Sequence, residues 1–138
     1  MSAGFVVDAS VGFAWVYHGQ ATPETAKLLD EIESGVTVLV PSFWFLEVAN
    51  VLLVAQRRNK ITVAERKSAA EKLGTMEFKV DDEATRNAFD QISELAEQNG
   101  LTVYDAAYLE IALRRKLSLA SRDEALRNAG KRCGLQLV

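Results

Sequence analysis

The sequence predicts an α/β domain: a mostly parallel sheet covered by helices on both faces. Three observations carry this. Short apolar runs rich in Val, Leu and Phe alternate along the chain with segments of helical period. Start and stop residues bracket several of those helical segments. No repeat, low-complexity tract or Pro/Gly/Ser linker divides the 138 residues, so one domain spanning 1–138 is expected.

The elements follow in order. "GFVVD" (4–8) is a short β-rich run that suits a buried strand, and residues 10–17 make a short apolar helix. In "ATPETAKLLDEIESG" (21–35), Thr22 is an N-cap, Pro23 takes the first helical position and Gly35 terminates. Leu28, Leu29 and Ile32 form the buried stripe of that helix. "VTVLVP" (36–41) is the second strand, stopped by Pro41. "SFWFLEVANVLLVAQRRN" (42–59) is apolar on most faces and is expected as a largely buried helix with Ser42 as N-cap. Residues 62–74 form an amphipathic helix, and "MEFKV" (76–80) alternates like a strand. Residues 83–99 place Ala88, Phe89, Ile92, Leu95 and Ala96 at helical spacing and stop at Asn99-Gly100. The stretch "LTVYDAAYLEIALRRKLSLASRD" (101–123) reads as a helix and a strand, followed by a helix near 123–132 and a last strand "LQLV" (135–138).

Composition narrows the chemistry. Charged residues are 25% and hydrophobic residues 49%, with no apolar run long enough to span a membrane and no basic leader. The single Cys133 excludes an internal disulfide, and a cytoplasmic setting is expected. One Cys and one His are too few for a zinc site. His18, beside Gly19, reads as a helix-terminal histidine rather than a catalytic one. A net charge of −3 argues against holding nucleic acid by a broad basic surface, but not against a nuclease whose bound metals supply positive charge.

In parallel sheets function collects beyond the carboxyl ends of the strands. Asp8 closes the first strand, and a helix cap is its simplest alternative role. Glu47 lies in an apolar helix after the second strand, where a carboxylate needs a partner; a structural salt bridge is the alternative. Asn50 shares its face. Asp105 fits a capping box with Thr102 as N-cap. Ser121 and Glu124 have the same form, in which case Asp123 would only favour the helix dipole. A helix from 105 to 115 rises about 16 Å, and a strand from 116 to 120 travels about 16 Å back. Asp123 therefore returns to the level of Asp105, and Asp8 and Glu47 belong at the same edge. Four gathered carboxylates repel one another unless divalent cations neutralise them. All-oxygen ligands suit magnesium or manganese, and such sites commonly activate water against a phosphodiester.

"VVDASV", "PSFWFLEVANVL", "LTVYDAAYLEIAL" and "LASRDEAL" resemble, in order and over nearly the whole chain, the successive motifs of the PIN domain. The resemblance is strongest to VapC-type toxins of toxin–antitoxin pairs. It implies a three-layer α/β/α sandwich and a metal-dependent endoribonuclease leaving a 5′-phosphate and a 3′-hydroxyl. It places one or two Mg2+ or Mn2+ ions on Asp8, Glu47, Asp105 and Asp123. Ser10, Asn50 and Ser121 match accessory polar positions, although the family more often has Thr where this chain has Ser121. A cognate antitoxin laid over a groove near 42–58 and 62–74 is the implied partner, and "FWF" (43–45), with aromatics on several sides of one helix, suits a homodimer or antitoxin surface.

Arg122, beside Asp123, is the basic residue best placed to touch RNA. "QRRNK" (56–60) and "RRK" (114–116) read instead as helix-end charges. Two rival enzymes fail on residues. A haloacid-dehalogenase-type phosphatase needs an Asp where Ser10 stands. A receiver domain needs a phospho-accepting Asp where the second strand ends in Pro41-Ser42. A PIN domain that binds RNA or antitoxin without cutting, and a PIN nuclease of RNA processing or acting on DNA, stay open.

Overall fold

Residues 4–138 are described in the computed structural model of the chain. β1 (Phe5–Val7) leads to α1 (Ala9–Val16) and α2 (Pro23–Glu33), then to β2 (Val38–Pro41). α3 (Trp44–Arg57) and α4 (Val63–Gly74) precede β3 (Lys79–Asp81). α5 (Ser93–Asn99) and α6 (Val103–Arg115) lead to β4 (Ser118–Ala120) and α7 (Glu124–Arg132).

All strand pairs are parallel, and the order across the sheet is β3-β2-β1-β4. The first three strands step one way, and β4 returns to the free side of β1. Parallel crossovers are right-handed, so a change of direction sends the connecting helices to the opposite face. Accordingly α1 packs with α2, α3 and α4, while α6 lies on β1, β2 and β4 and packs with α5 and α7. This is the predicted three-layer α/β/α arrangement.

Residue size sets the spacing of the layers. Ala106, Ala107 and Ala112 are fully buried, and their small side chains let α6 lie close on the sheet. Gly12 does the same between α1 and α3. A Cβ there would stand 2.6 Å from the Trp44 ring, so only glycine admits this approach. Thr22 caps α2 as predicted, and Gly100 closes α5 in the left-handed conformation. Leu28 is buried while Leu29 and Ile32 pack partly buried against the core, which is the predicted stripe.

Several expectations need correction. Ser42 does not cap α3; a turn intervenes, and Phe43 takes the cap position without a side-chain bond. α3 is also not largely buried. Trp44, Val48, Leu52 and Ala55 face the core, whereas Phe45, Leu46 and Val51 are exposed, Leu46 at 74%. Helical period gives a helix one buried stripe here, whatever its other faces hold.

The segment 83–99 is not one helix. A 3-10 turn (Ala84–Asn87) and a π turn (Ala88–Ile92) precede α5. Ile92 and Ala96 reach the core, but Phe89 is 99% exposed. The start is held by a neighbouring group: the Glu83 and Ala84 N–H donate to the buried carboxylate of Asp81, each at 3.0 Å. β3 begins only at Lys79, with Met76 and Phe78 packing from the loop before it. The last strand shrinks to a single parallel bridge, Leu119 to Leu137. His18 lies in a short 3-10 turn after α1, and its side chain falls outside the described residues. Among the described residues no helix is long and apolar enough to cross a membrane.

Candidate active site

β1 and β4 are neighbours whose connections leave in opposite directions, so a crevice opens beyond their carboxyl ends. Asp8 follows β1, and its N–H donates to Ala120 O at 3.1 Å, extending the ladder. The side chain is buried and takes three donors. Ser10 Oγ donates to Oδ1 at 2.6 Å, the Val11 N–H to the same oxygen at 3.3 Å, and Ser121 Oγ donates to Oδ2. Each hydroxyl accepts in turn from the turn after β4: Ser10 Oγ from the Arg122 N–H at 2.9 Å, Ser121 Oγ from the Asp123 N–H at 3.0 Å. Two serines thus stitch the β1–α1 turn to the β4–α7 turn around one carboxylate.

Ser121 is not the N-cap of α7. Asp123 is, accepting from the Leu126 N–H at 2.9 Å. The Ser121 hydroxyl is spent on Asp8, a partner 113 residues away in the chain. Asp8 likewise caps α1 through Val11. For both aspartates, capping and presentation at the crevice coincide.

Glu47 lies one turn into α3, half-buried, and accepts from the Tyr108 hydroxyl. Asp105 is half-buried in the first turn of α6, whose cap Thr102 accepts its N–H at 3.1 Å. Asn50 is exposed one turn beyond Glu47. Tyr108 went unnoticed in the sequence, although it stands three residues after Asp105 and so shares its helix face.

Burial pushes the Asp8 carboxyl up; Ser10, Ser121 and Val11 counter it, and the charge of Asp105 adds to it. Burial also raises Glu47, against the Tyr108 bond and with the charges of Asp105 and Asp8. Asp105 is raised by burial and by Asp123, with Thr102 opposing. Tyr108 is pushed far up by burial, by its bond to Glu47 and by the surrounding carboxylates, so it stays a donor. The four carboxylates therefore form one chain of mutual repulsion. None of them has an arginine or lysine ion-pair partner among the described residues.

Among the described residues no three acidic, His or Cys side chains are grouped tightly enough to hold an ion by themselves. Magnesium does not need such a cage. It keeps several waters and binds through one or two carboxylates plus substrate phosphate. An all-oxygen donor set with uncompensated negative charge fits magnesium or manganese and does not fit zinc.

Several arginines are engaged by the protein itself. Arg122 is exposed, and its guanidinium donates to the Gln20 backbone and to Gln20 Oε1 at 2.9 Å. Arg114 and Arg115 both bind Asp81, and Arg114 also binds Glu110 and Glu83. They are structural ion pairs rather than helix-end solubilising charges.

The family model for the PIN domain matches residues 5–132. No curated protein matches the chain significantly. Among solved structures, PAE2754 from Pyrobaculum aerophilum is 24% identical, with a TM-score of 0.72 over 100% of this chain and 91% of that one. VapBC2 from Rickettsia felis, solved with a promoter DNA fragment, is 14% identical at a TM-score of 0.64, covering 97% of this chain and 96% of that one. VapBC-5 from Mycobacterium tuberculosis, of the VapBC family of toxin–antitoxin systems, is 21% identical at 0.57, covering 99% and 98%. At these identities the likeness is one of fold.

Proposed function

The chain belongs to the PIN domain family, and from that premise we propose that it is a magnesium- or manganese-dependent endoribonuclease, the toxin of a toxin–antitoxin pair, built as a single domain over 1–138. The observation that carries this reading is the treatment of Asp8. A buried carboxylate at the strand-order reversal is held by neutral donors alone, within electrostatic reach of other carboxylates. Such an arrangement costs stability and is retained where a cation completes it.

Asp8, Glu47, Asp105 and Asp123 are the residues that would hold the ion or ions. When bound, a divalent cation supplies a water of lowered pKa and neutralises charge on the phosphate. Ser10 and Ser121 fix the orientation of Asp8. Tyr108 fixes Glu47 by donating to it, and its raised pKa keeps the proton in place. Asn50, exposed one turn from Glu47, is positioned to touch water or phosphate. Arg122 is a tentative RNA contact, reached by releasing Gln20.

The partners follow from the same reading. Phe45, Leu46 and Val51 leave an apolar face on α3 beside a groove of about 160 Å³ between α3 and α4. That face supports an antitoxin or homodimer contact, and the setting is the cytoplasm. The test is cleavage of RNA by the purified chain. Magnesium-dependent, chelator-sensitive cleavage is expected, and Asp105→Asn should lower it by about a hundredfold or more without lowering the melting temperature. Full activity in that variant ends the proposal.

A further inference from the structure

Beside the four carboxylates stands an aromatic group that metal binding does not use. The Phe43 ring meets the Tyr104 ring at 5.5 Å and 79°, and the Tyr108 ring at 5.6 Å and 80°. Tyr108 is buried and bonded to Glu47. Tyr104 is 61% exposed, although it immediately precedes Asp105. Phe43 thus braces one tyrosine that orients a carboxylate and a second that opens to solvent at the rim of the same crevice.

The electrostatics leave a need that such a ring meets. The chain carries a net charge of −3, and its crevice is acidic. Arg114 and Arg115 are committed to Asp81 and Arg127 to the Ser121 and Val138 carbonyls, and Arg122 must release Gln20 before it can reach a phosphate. A polyanion approaching this acidic crevice meets a repulsion that Arg122 alone offsets only in part. A base has a π-face whatever its identity, and stacking on an aromatic side chain holds single strands without relying on charge.

We propose that Tyr104, braced by Phe43, is a stacking platform for an unpaired base of the RNA next to the phosphate presented to the acidic crevice. This rests on the nuclease reading above and adds the residue that positions the substrate at the cleavage point. The same nucleotides in a duplex keep their bases stacked on one another and cannot use the ring. Tyr104 is a positioning residue, and its loss should raise KM more than it lowers kcat.

The experiment uses short unstructured oligoribonucleotides with 2-aminopurine at successive positions, titrated with the full chain in calcium to slow cleavage. Wild type should quench the fluorophore at one or two positions and bind the duplex form more weakly. Tyr104→Ala should lose the quenching and bind about tenfold more weakly, and Tyr104→Phe should keep both. Because Tyr104 is exposed, all three should melt alike. Cleavage in magnesium is followed in parallel. Equal affinity and quenching in Tyr104→Ala, or no quenching by wild type at any position, overturns the inference even if magnesium-dependent cleavage is intact. Quenching that depends on Tyr104 with no cleavage by wild type sustains the platform and overturns the nuclease reading instead. Loss of binding to a protein partner, with RNA binding unchanged, reassigns Tyr104 to that partner and overturns it too.

Discussion

Asp8 and Asp81 stand at or just beyond the carboxyl ends of strands in one sheet, and both are nearly hidden, at 4% and 2% exposure. Their surroundings are opposite. Asp81 is gripped by Arg114 and Arg115, each at 2.9 Å, and by two backbone N–H groups. Asp8 receives two hydroxyls and one N–H, and its nearest charges are other carboxylates. Burial would push both carboxyls up. At Asp81 the arginines overcome burial and hold it below the ordinary aspartate value; at Asp8 nothing of that strength does. The pair separates a carboxylate whose charge the fold has compensated from one whose charge it has left available.

The largest effect expected from breaking this contrast is on the compensated side. Asp81→Ala leaves two arginines and two N–H groups without their shared acceptor and should cost about 3–5 kcal/mol. Urea denaturation measures it, and activity per folded molecule should survive. A loss under 1 kcal/mol would mean that Glu110 and Glu83 suffice to hold the arginines.

Next comes metal. At pH 7, magnesium or manganese at ten times its Kd should add about 1.4 kcal/mol to the wild-type chain, seen as a raised melting temperature. The gain should fade as the pH falls, because protons compete for the same oxygens, and Asp8→Asn should show little of it. An equal shift in that variant would place the ion elsewhere.

The smallest effect is in pH alone, and its sign differs between the two sites. Asp81, lowered on folding, contributes stability that is present above an ordinary aspartate pKa of about 4 and is lost below it. Asp8, Glu47 and Asp105 are raised on folding, so their ionised forms cost stability near neutrality, and the cost is relieved as they take up protons. The metal-free chain should therefore gain stability as the pH falls from neutrality toward the carboxylate range, then lose it below about pH 4. A melting temperature that only falls with acid would show that the crevice carboxylates are not strained.

Much of this was legible locally. β1 and β2 were readable as apolar runs closed by Asp8 and Pro41, and Thr22, Thr102 and Gly100 announced helix ends through their own chemistry. The positions of Asp8, Glu47, Asp105 and Asp123 beyond the strands followed from the alternation of elements. What stayed hidden was decided by residues far apart in the chain. The opening turn of 83–99 is held by Asp81, and Asp81 is itself fixed by Arg114 and Arg115, 33 and 34 residues further on. Ser121 looked like a cap because its hydroxyl was free on paper; Asp8 claims it in the fold. Composition alone overstated the burial of α3, since apolar residues that face outward read like those that face inward.

The two serine stitches also set a timetable. Asp8 takes its Ser121 bond, its Ala120 ladder contact and the β4 neighbour of β1 all from residues 118–123, and Ser121 is 113 residues further along the chain. Pairings across such sequence separation form late in folding. A chain in which β4 has not yet docked has Asp8 and Glu47 but not the floor that orients Asp8. If the finished protein cuts RNA, a chain that has collapsed without that pairing is a blunt one, and the cutting centre closes only as β4 slides in beside β1.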